Sequence, residues 1–262
     1  SLPHCVAEAR VRETMTTDVF WQWVCGIAGA LFIGIAKAGF GGGLGMLITP
    51  LAALAFPARE ALGIILPLLV AGDALSLYHY WRKWDSRNVL WLMPGALVGI
   101  AVGLTLIGKL DDRGLRQFIG GVAVAFIGIQ WVRDVLGAHP ERYHPKHWHG
   151  ALFGLAAGVT TTIAHAAGPV VAMFLIPQRM TKEFFVGTTV LVFALINWIK
   201  MPFFFWQGIC TVETFQQSLW LMPVVPVGVW IGVWCNRKLS PTWFMRAVYI
   251  VVFGTGVELL FF

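Results

Sequence analysis

Several long stretches of this chain hold no Asp, Glu, Lys or Arg, and they restrict its fold more than any other feature. They include 88–108, 147–178, 184–199 and 214–236. These stretches are apolar on every face, whereas a helix of a soluble protein keeps a polar side. Runs of about 18 or more such residues read as membrane-spanning helices. Composition agrees, with 58% hydrophobic and 12% charged residues, about half the charged share of a soluble domain. Of 13 Trp, most gather near predicted span ends: Trp81, Trp84, Trp91, Trp131, Trp148, Trp206, Trp220, Trp234 and Trp243. Aromatic rings there sit at headgroup level. A transmembrane β-barrel needs alternating segments of about ten residues, a pattern this chain lacks. The expectation is an all-α integral membrane protein whose solvent is the lipid bilayer.

Other global features constrain less. The net charge of +6 belongs to loops facing an anionic membrane surface and makes no case for nucleic acid as a partner. The four Cys (Cys5, Cys25, Cys210 and Cys235) form no Cys-x-x-Cys pair, so no disulfide framework is expected. His139, His144, His147 and His149 fit no metal spacing, and no metal or other cofactor is expected. Residues 1–18 form a polar tail without the apolar core of a signal peptide, and Met15 is a candidate natural start. No Gly-x-Ser-x-Gly, His-Glu-x-x-His or phosphate-binding Gly-x-x-x-x-Gly-Lys-Ser/Thr motif occurs, which argues against an enzyme.

The chain also repeats itself. Leu90-Trp91-Leu92-Met93-Pro94, with Val98-Gly99 and Gly103, recurs 129 positions later as Leu219-Trp220-Leu221-Met222-Pro223, with Val227-Gly228 and Gly232. Ile35-Ala36-Lys37-Ala38 parallels Ile163-Ala164-His165-Ala166. The expected organisation is a first repeat over 19–135, a polar connecting loop over 136–148 and a second repeat over 149–262. Segments 20–36, 44–56, 61–80, 89–107 and 115–135 answer to 149–163, 168–177, 183–205, 217–235 and 243–262. At 1.5 Å per residue, 168–177 covers about 15 Å, half a hydrocarbon core. Each half therefore reads as a broken, re-entrant-like helix hairpin plus three transmembrane helices. Charge counting leaves open whether the hairpin returns or crosses fully.

Three spans per half put the second half upside down relative to the first, giving two inverted-topology repeats. Loop 81–88 carries Arg82, Lys83 and Arg87, whereas its counterpart 206–216 carries no Lys or Arg. With 81–88 in the cytoplasm, ten Lys and Arg of the loops and ends lie inside and six outside, and both termini lie outside. Cys210 then sits in an outer loop, open to an impermeant thiol reagent.

Irregular backbone at membrane depth survives only where protein or water surrounds it, so matched breaks in inverted halves point to a substrate site. One break is Lys37-Ala38-Gly39-Phe40-Gly41-Gly42-Gly43. The other runs from Thr160-Thr161-Thr162 through His165 to Gly168-Pro169. Gly lets backbone N–H groups approach a ligand, and Pro169 suits a first helical turn. Each second arm then aims a helix N-terminus at the break, which favours an anion. Candidate substrate-binding residues are Lys37, Gly39, Gly41, Gly42, Gly43, Thr161, Thr162, His165, Gly168, Asn197 and Lys200. Asp73 and His165 are candidates for proton coupling. The plainer alternatives are close helix packing by the glycines, a core role for His165, and snorkelling of Lys37 and Lys200 to an interface.

These residues also carry a family resemblance. Ala36-Lys37-Ala38-Gly39-Phe40-Gly41-Gly42-Gly43 with Pro50 resembles the first signature of the sulfite exporter TauE/SafE family. His165-Ala166-Ala167-Gly168-Pro169, Gly187-Thr188-Thr189 and Asn197-Trp198-Ile199-Lys200 are similar to its second. Ala167 stands where relatives commonly carry another Gly. The resemblance implies a multi-pass transporter of the bacterial inner membrane, exporting small sulfur oxyanions or organosulfonates such as sulfite or sulfoacetate. A passive anion channel and a non-transporting membrane scaffold are the rival functions. A second copy of the chain is a candidate partner.

Overall fold

The computed structural model describes residues 23–24, 26–35, 48–135, 145–238 and 241–261, and no strand occurs among them. In chain order the helices are α1 (Gly26–Ile35), α2 (Ile48–Ala55), α3 (Ala58–His79), α4 (Ser86–Lys109) and α5 (Asp112–Val135). There follow α6 (His147–Ala164), α7 (Ala167–Leu175), α8 (Lys182–Trp206), α9 (Val212–Leu221), α10 (Val224–Lys238) and α11 (Pro241–Phe261). Four stretches are long and apolar enough to cross a membrane: α3, α4, residues Asp112–Val132 of α5, and α8. The chain is therefore an all-helical protein with several membrane-capable spans, as its charge-free runs require.

Polar groups at the helix ends fix how the spans start and stop. Pro57, extended at φ −50° and ψ 138°, precedes α3, and the Asp112 carboxylate accepts from the Ala58 N–H at 2.7 Å. Arg59 donates to the Ile107 carbonyl in the last turn of α4 at 2.8 Å, where a cation meets the negative end of the helix dipole. At the opposite end, Asp85 caps α4 through the N–H groups of Arg87 and Asn88. Its own N–H donates to Thr188 Oγ1 of α8 at 2.9 Å. Lys83 pairs with Glu183 at 3.1 Å.

Helices α3 and α8 run antiparallel. Asp73 meets Asn197 midway, Lys83 meets Glu183 at one end, and Gly63 abuts the Ile209 carbonyl at the other. Helices α5 and α11 are also antiparallel, with Gly120 against Gly256 and Phe126 against Tyr249. The most extensive pairing is α4 with α6. Gly95 and Gly99 of α4 face the backbone of Ala151 and Leu155, and Gly154 and Gly158 of α6 face that of Leu92 and Ala96. Helices α1 and α10 cross in the same manner, at Gly34 and Gly228. Without a hydrophobic force between helices in lipid, such small-residue seams let backbones pack closely.

Two sequence expectations need correction. The span expected over 217–235 is divided into α9 and α10 by a turn at Met222–Pro223. Pro226, in the first turn of α10, has no N–H to donate. The Met222 carbonyl instead accepts from Val225 at 3.1 Å, in a tighter turn. Cys210 does lie in the α8–α9 connection but is buried, 2% exposed. Burial raises its thiol pKa above the ordinary value, against a smaller opposing effect of Thr214, so the thiol resists labelling.

Candidate functional site

The break between α6 and α7 is made by two residues. His165 ends α6 in the left-handed conformation, φ 50° and ψ 28°, a region few non-glycine residues occupy. Ala166 then precedes α7, which has no side-chain cap at its N-terminus. Gly168 and Pro169 lie buried in its first turn. From Ala167 to Gln178 the chain forms one short apolar helix with a tightened end, so the second arm is as short as the sequence implied.

A buried lysine fills the inner side of this break. Lys200 of α8 is 0% exposed. Its ammonium donates to the Thr161 carbonyl at 2.9 Å, to Thr161 Oγ1 at 3.3 Å and to His165 Nδ1 at 3.1 Å. An ammonium has three protons, and each has a partner here. Because Nδ1 accepts, the His165 tautomer assigned from this network carries its proton on Nε2, which donates to the Leu62 carbonyl of α3 at 3.2 Å. Lys200 thus ties α8 to the C-terminal, electronegative end of α6, and His165 ties that end to α3. The Phe204 ring lies 5.3 Å from the ammonium, within cation–π range.

One turn before Lys200, Asn197 donates to Asp73 Oδ2 of α3 at 2.7 Å. Both are buried. Asn197, Lys200 and Phe204 share one face of α8, the spacing that brings side chains onto a common stripe. The structure therefore brings together Thr161, His165, Asn197, Lys200 and Asp73 around α3, α6 and α8. Snorkelling of Lys200 is not what the structure shows: the side chain turns inward.

Thr162 is placed elsewhere. Its hydroxyl donates to the Gly158 carbonyl at 2.7 Å, and its side chain lies against Gly103 of α4. Lys37, Gly39, Gly41, Gly42 and Gly43 lie outside the described residues. Sequence reasoning did not single out Phe204 or the Leu62 carbonyl. The position of Phe204, one turn beyond Lys200, was the available signal; nothing in the sequence marks a backbone carbonyl. Among the described residues no group of His, Cys, Asp and Glu is arranged to hold a metal.

The model of the family described as sulfite exporter TauE/SafE matches residues 26–259. The chain belongs to that family. It is 29% identical over 199 residues to the probable inner membrane transporter protein TsaS of Comamonas testosteroni, covering 75% of this chain and 81% of that protein. It is 22% identical over 227 residues to the probable sulfite/organosulfonate exporter TauE of Cupriavidus necator, covering 84% and 86%. No solved structure matches it. This family member is a multi-pass inner-membrane transporter and not an enzyme.

Proposed function

We propose that the chain is a secondary exporter of small sulfur oxyanions or organosulfonates, and that the anion binds where the helix breaks of two inverted repeats meet. The observation that carries this reading is the Lys200 ammonium, wholly buried at a helix break. A full charge at membrane depth is expensive and marks a functional site by default. Beside it, α7 begins with uncapped N–H groups, and a helix N-terminus favours negative charge. A relative's printed name, sulfite/organosulfonate exporter, agrees with a small sulfur oxyanion. The repeats of 19–135 and 149–262 are supported by the antiparallel pairings of α3 with α8 and α5 with α11, since two-fold-related equivalents run oppositely. The reciprocal α4–α6 and α1–α10 crossings support them further.

An incoming anion takes over a Lys200 proton, most readily the one on Thr161 Oγ1, whose contact is the longest of the three at 3.3 Å. Proton coupling has a route in the same network. Protonation of His165 turns Nδ1 into a donor facing another cation, so the 3.1 Å contact with Lys200 cannot persist. Lys200 is then released toward the anion.

The test is sulfite or sulfoacetate flux in proteoliposomes of the purified chain. Saturable flux with counterflow is expected in the wild type, lost in Lys200→Met and retained in Lys109→Ala, an exposed control. Flux that neither saturates nor shows counterflow points to a channel, and unchanged flux in Lys200→Met removes the site.

A further inference from the structure

We infer that Phe204 is a positioning residue of the anion site, whose ring face holds Lys200 in its charged form and in place for the substrate. This rests on the anion site proposed above and adds a residue to it. Phe204 stands one turn beyond Lys200 on α8, and both side chains are wholly buried. The Lys200 ammonium lies over the ring, 5.3 Å from its centroid, and the His165 ring lies 6.2 Å from that of Phe204. Of three consecutive phenylalanines only this one turns inward: Phe203 is 42% and Phe205 44% exposed. The main chain fixes its place, because the Phe204 carbonyl accepts from the N–H groups of Ile209 and Cys210 at 2.9 and 3.1 Å.

Charge explains why a ring is placed there. The groups that face Lys200 are Thr161 and His165 of α6 and, across Asn197, the Asp73 carboxylate of α3. Helix α7 carries no titratable side chain, and those of α4, Arg87 and Lys109, stand at its two ends. A neutral amine could still donate to two of the α6 acceptors, so those bonds favour the ammonium only in part. The ring's quadrupole acts on the charge alone, and most strongly where water is excluded. It brings no net charge of its own, so unlike a second carboxylate it neither takes up a proton nor repels an arriving anion at long range. Its negative face does exclude the anion from that side of Lys200, which leaves the approach past Thr161 Oγ1 and the start of α7. The contact also outlasts the 3.1 Å bond to His165 Nδ1, since it does not depend on the protonation of His165.

Calorimetry of methanesulfonate, whose charge is constant from neutral to alkaline pH, tests this on the detergent-purified chain carrying mono-, di- or trifluorophenylalanine at position 204. Each fluorine weakens the negative ring face while the size of the ring changes little. Wild-type affinity should fall on the alkaline side as Lys200 loses its proton. That fall should move to lower pH with each fluorine, by about one pH unit over the series. Affinity below the fall should stay at the wild-type level, a pattern that a purely structural role would not give. Phe203→Leu and Phe205→Leu should leave the profile unchanged; an equal shift there would trace the effect to packing and overturn the inference. The fluorine steps should persist in His165→Gln. If they vanish there, the ring acts on the imidazole instead, which overturns the inference too. A profile indifferent to fluorine, or a wild type whose affinity stays level into the alkaline range, overturns it equally while leaving the anion site standing. If neither methanesulfonate nor sulfite binds at any pH, the anion site itself falls and the role of Phe204 with it.

Discussion

Helix α6 presents two faces that differ in kind. Toward α4 it shows a glycine seam, where Gly154 and Gly158 meet bare backbone and Thr162 packs on Gly103. Toward α3 and α8 its last turn shows a polar clamp, in which one ammonium and one imidazole meet every demand made on them. The seam has no second arrangement available, because close-packed backbones resist small displacements. In the function proposed above the clamp has alternatives, because a hydrogen bond to Lys200 is exchanged for one to an anion. The comparison teaches that one helix can carry both the rigid frame and the element that responds to substrate, provided the two lie on different faces.

Gly154→Val attacks the frame and should have the largest effect. A Cβ at Gly154 falls on the Leu92 carbonyl, and neither backbone can retreat. Overpacking usually costs about 1–3 kcal/mol, and a backbone clash within the seam should reach the upper end or exceed it. Thermal unfolding of the detergent-purified variant should show a large drop or no folded protein. A stable Gly154→Val would mean that the seam is looser than its geometry implies.

Lys200→Met attacks the clamp and should invert that pattern. Replacing a buried charge by an apolar side chain of similar length is often close to neutral in stability. Binding should suffer instead: a hydrogen bond to a charged group contributes about 1.5–3 kcal/mol, a loss of ten- to hundredfold in affinity. If Lys200→Met unfolds the protein and leaves the binding of surviving molecules intact, the two faces of α6 do not divide the work as described.

A subtler effect is expected at His165. His165→Gln should keep a hydrogen-bonding side chain beside Lys200, so anion binding should fall by less than in Lys200→Met. The loss should show in coupling. Flux in wild-type proteoliposomes should respond to an imposed pH gradient, and flux in the variant should not. Wild-type flux indifferent to the gradient would leave the clamp as a binding device without proton coupling.

Much of this division was legible in the sequence, though unevenly. The charge-free runs locate the spans, and an intramembrane Lys200 or Asp73 is conspicuous because charge is costly there. Partnership was not legible. Asp73 and Asn197 are 124 residues apart, and Lys200 reaches a residue 39 positions earlier, separations that only the packing of α3, α6 and α8 resolves. Local pattern also misled where two copies of one motif diverged. Leu-Trp-Leu-Met-Pro lies within the continuous helix α4, yet the same five residues end α9 and open a turn. Pro94 is followed by residues that all keep their N–H, whereas Pro223 is followed three positions later by Pro226, and the second missing donor decides the outcome.

The smallest effect expected is none at all on binding, and it fixes the frame against which the clamp moves. Cys210 cannot report topology, because it is buried and burial holds its thiol protonated. Val212, 67% exposed, and Lys182, exposed at the start of α8, lie at opposite ends of the antiparallel α3–α8 pair and can report it. Single-cysteine proteins carrying Val212→Cys or Lys182→Cys, with native cysteines replaced by Ser or Ala, should bind sulfonate as the parent does. An impermeant thiol reagent on intact cells should label Val212→Cys and spare Lys182→Cys if the basic loop 81–88, which meets the α8 start through Lys83 and Glu183, lies on the cytoplasmic side as its charge implies. Labelling of Lys182→Cys alone would turn the molecule over in the membrane without moving either face of α6. Labelling of both would place both helix ends on the outside and contradict the antiparallel spans themselves.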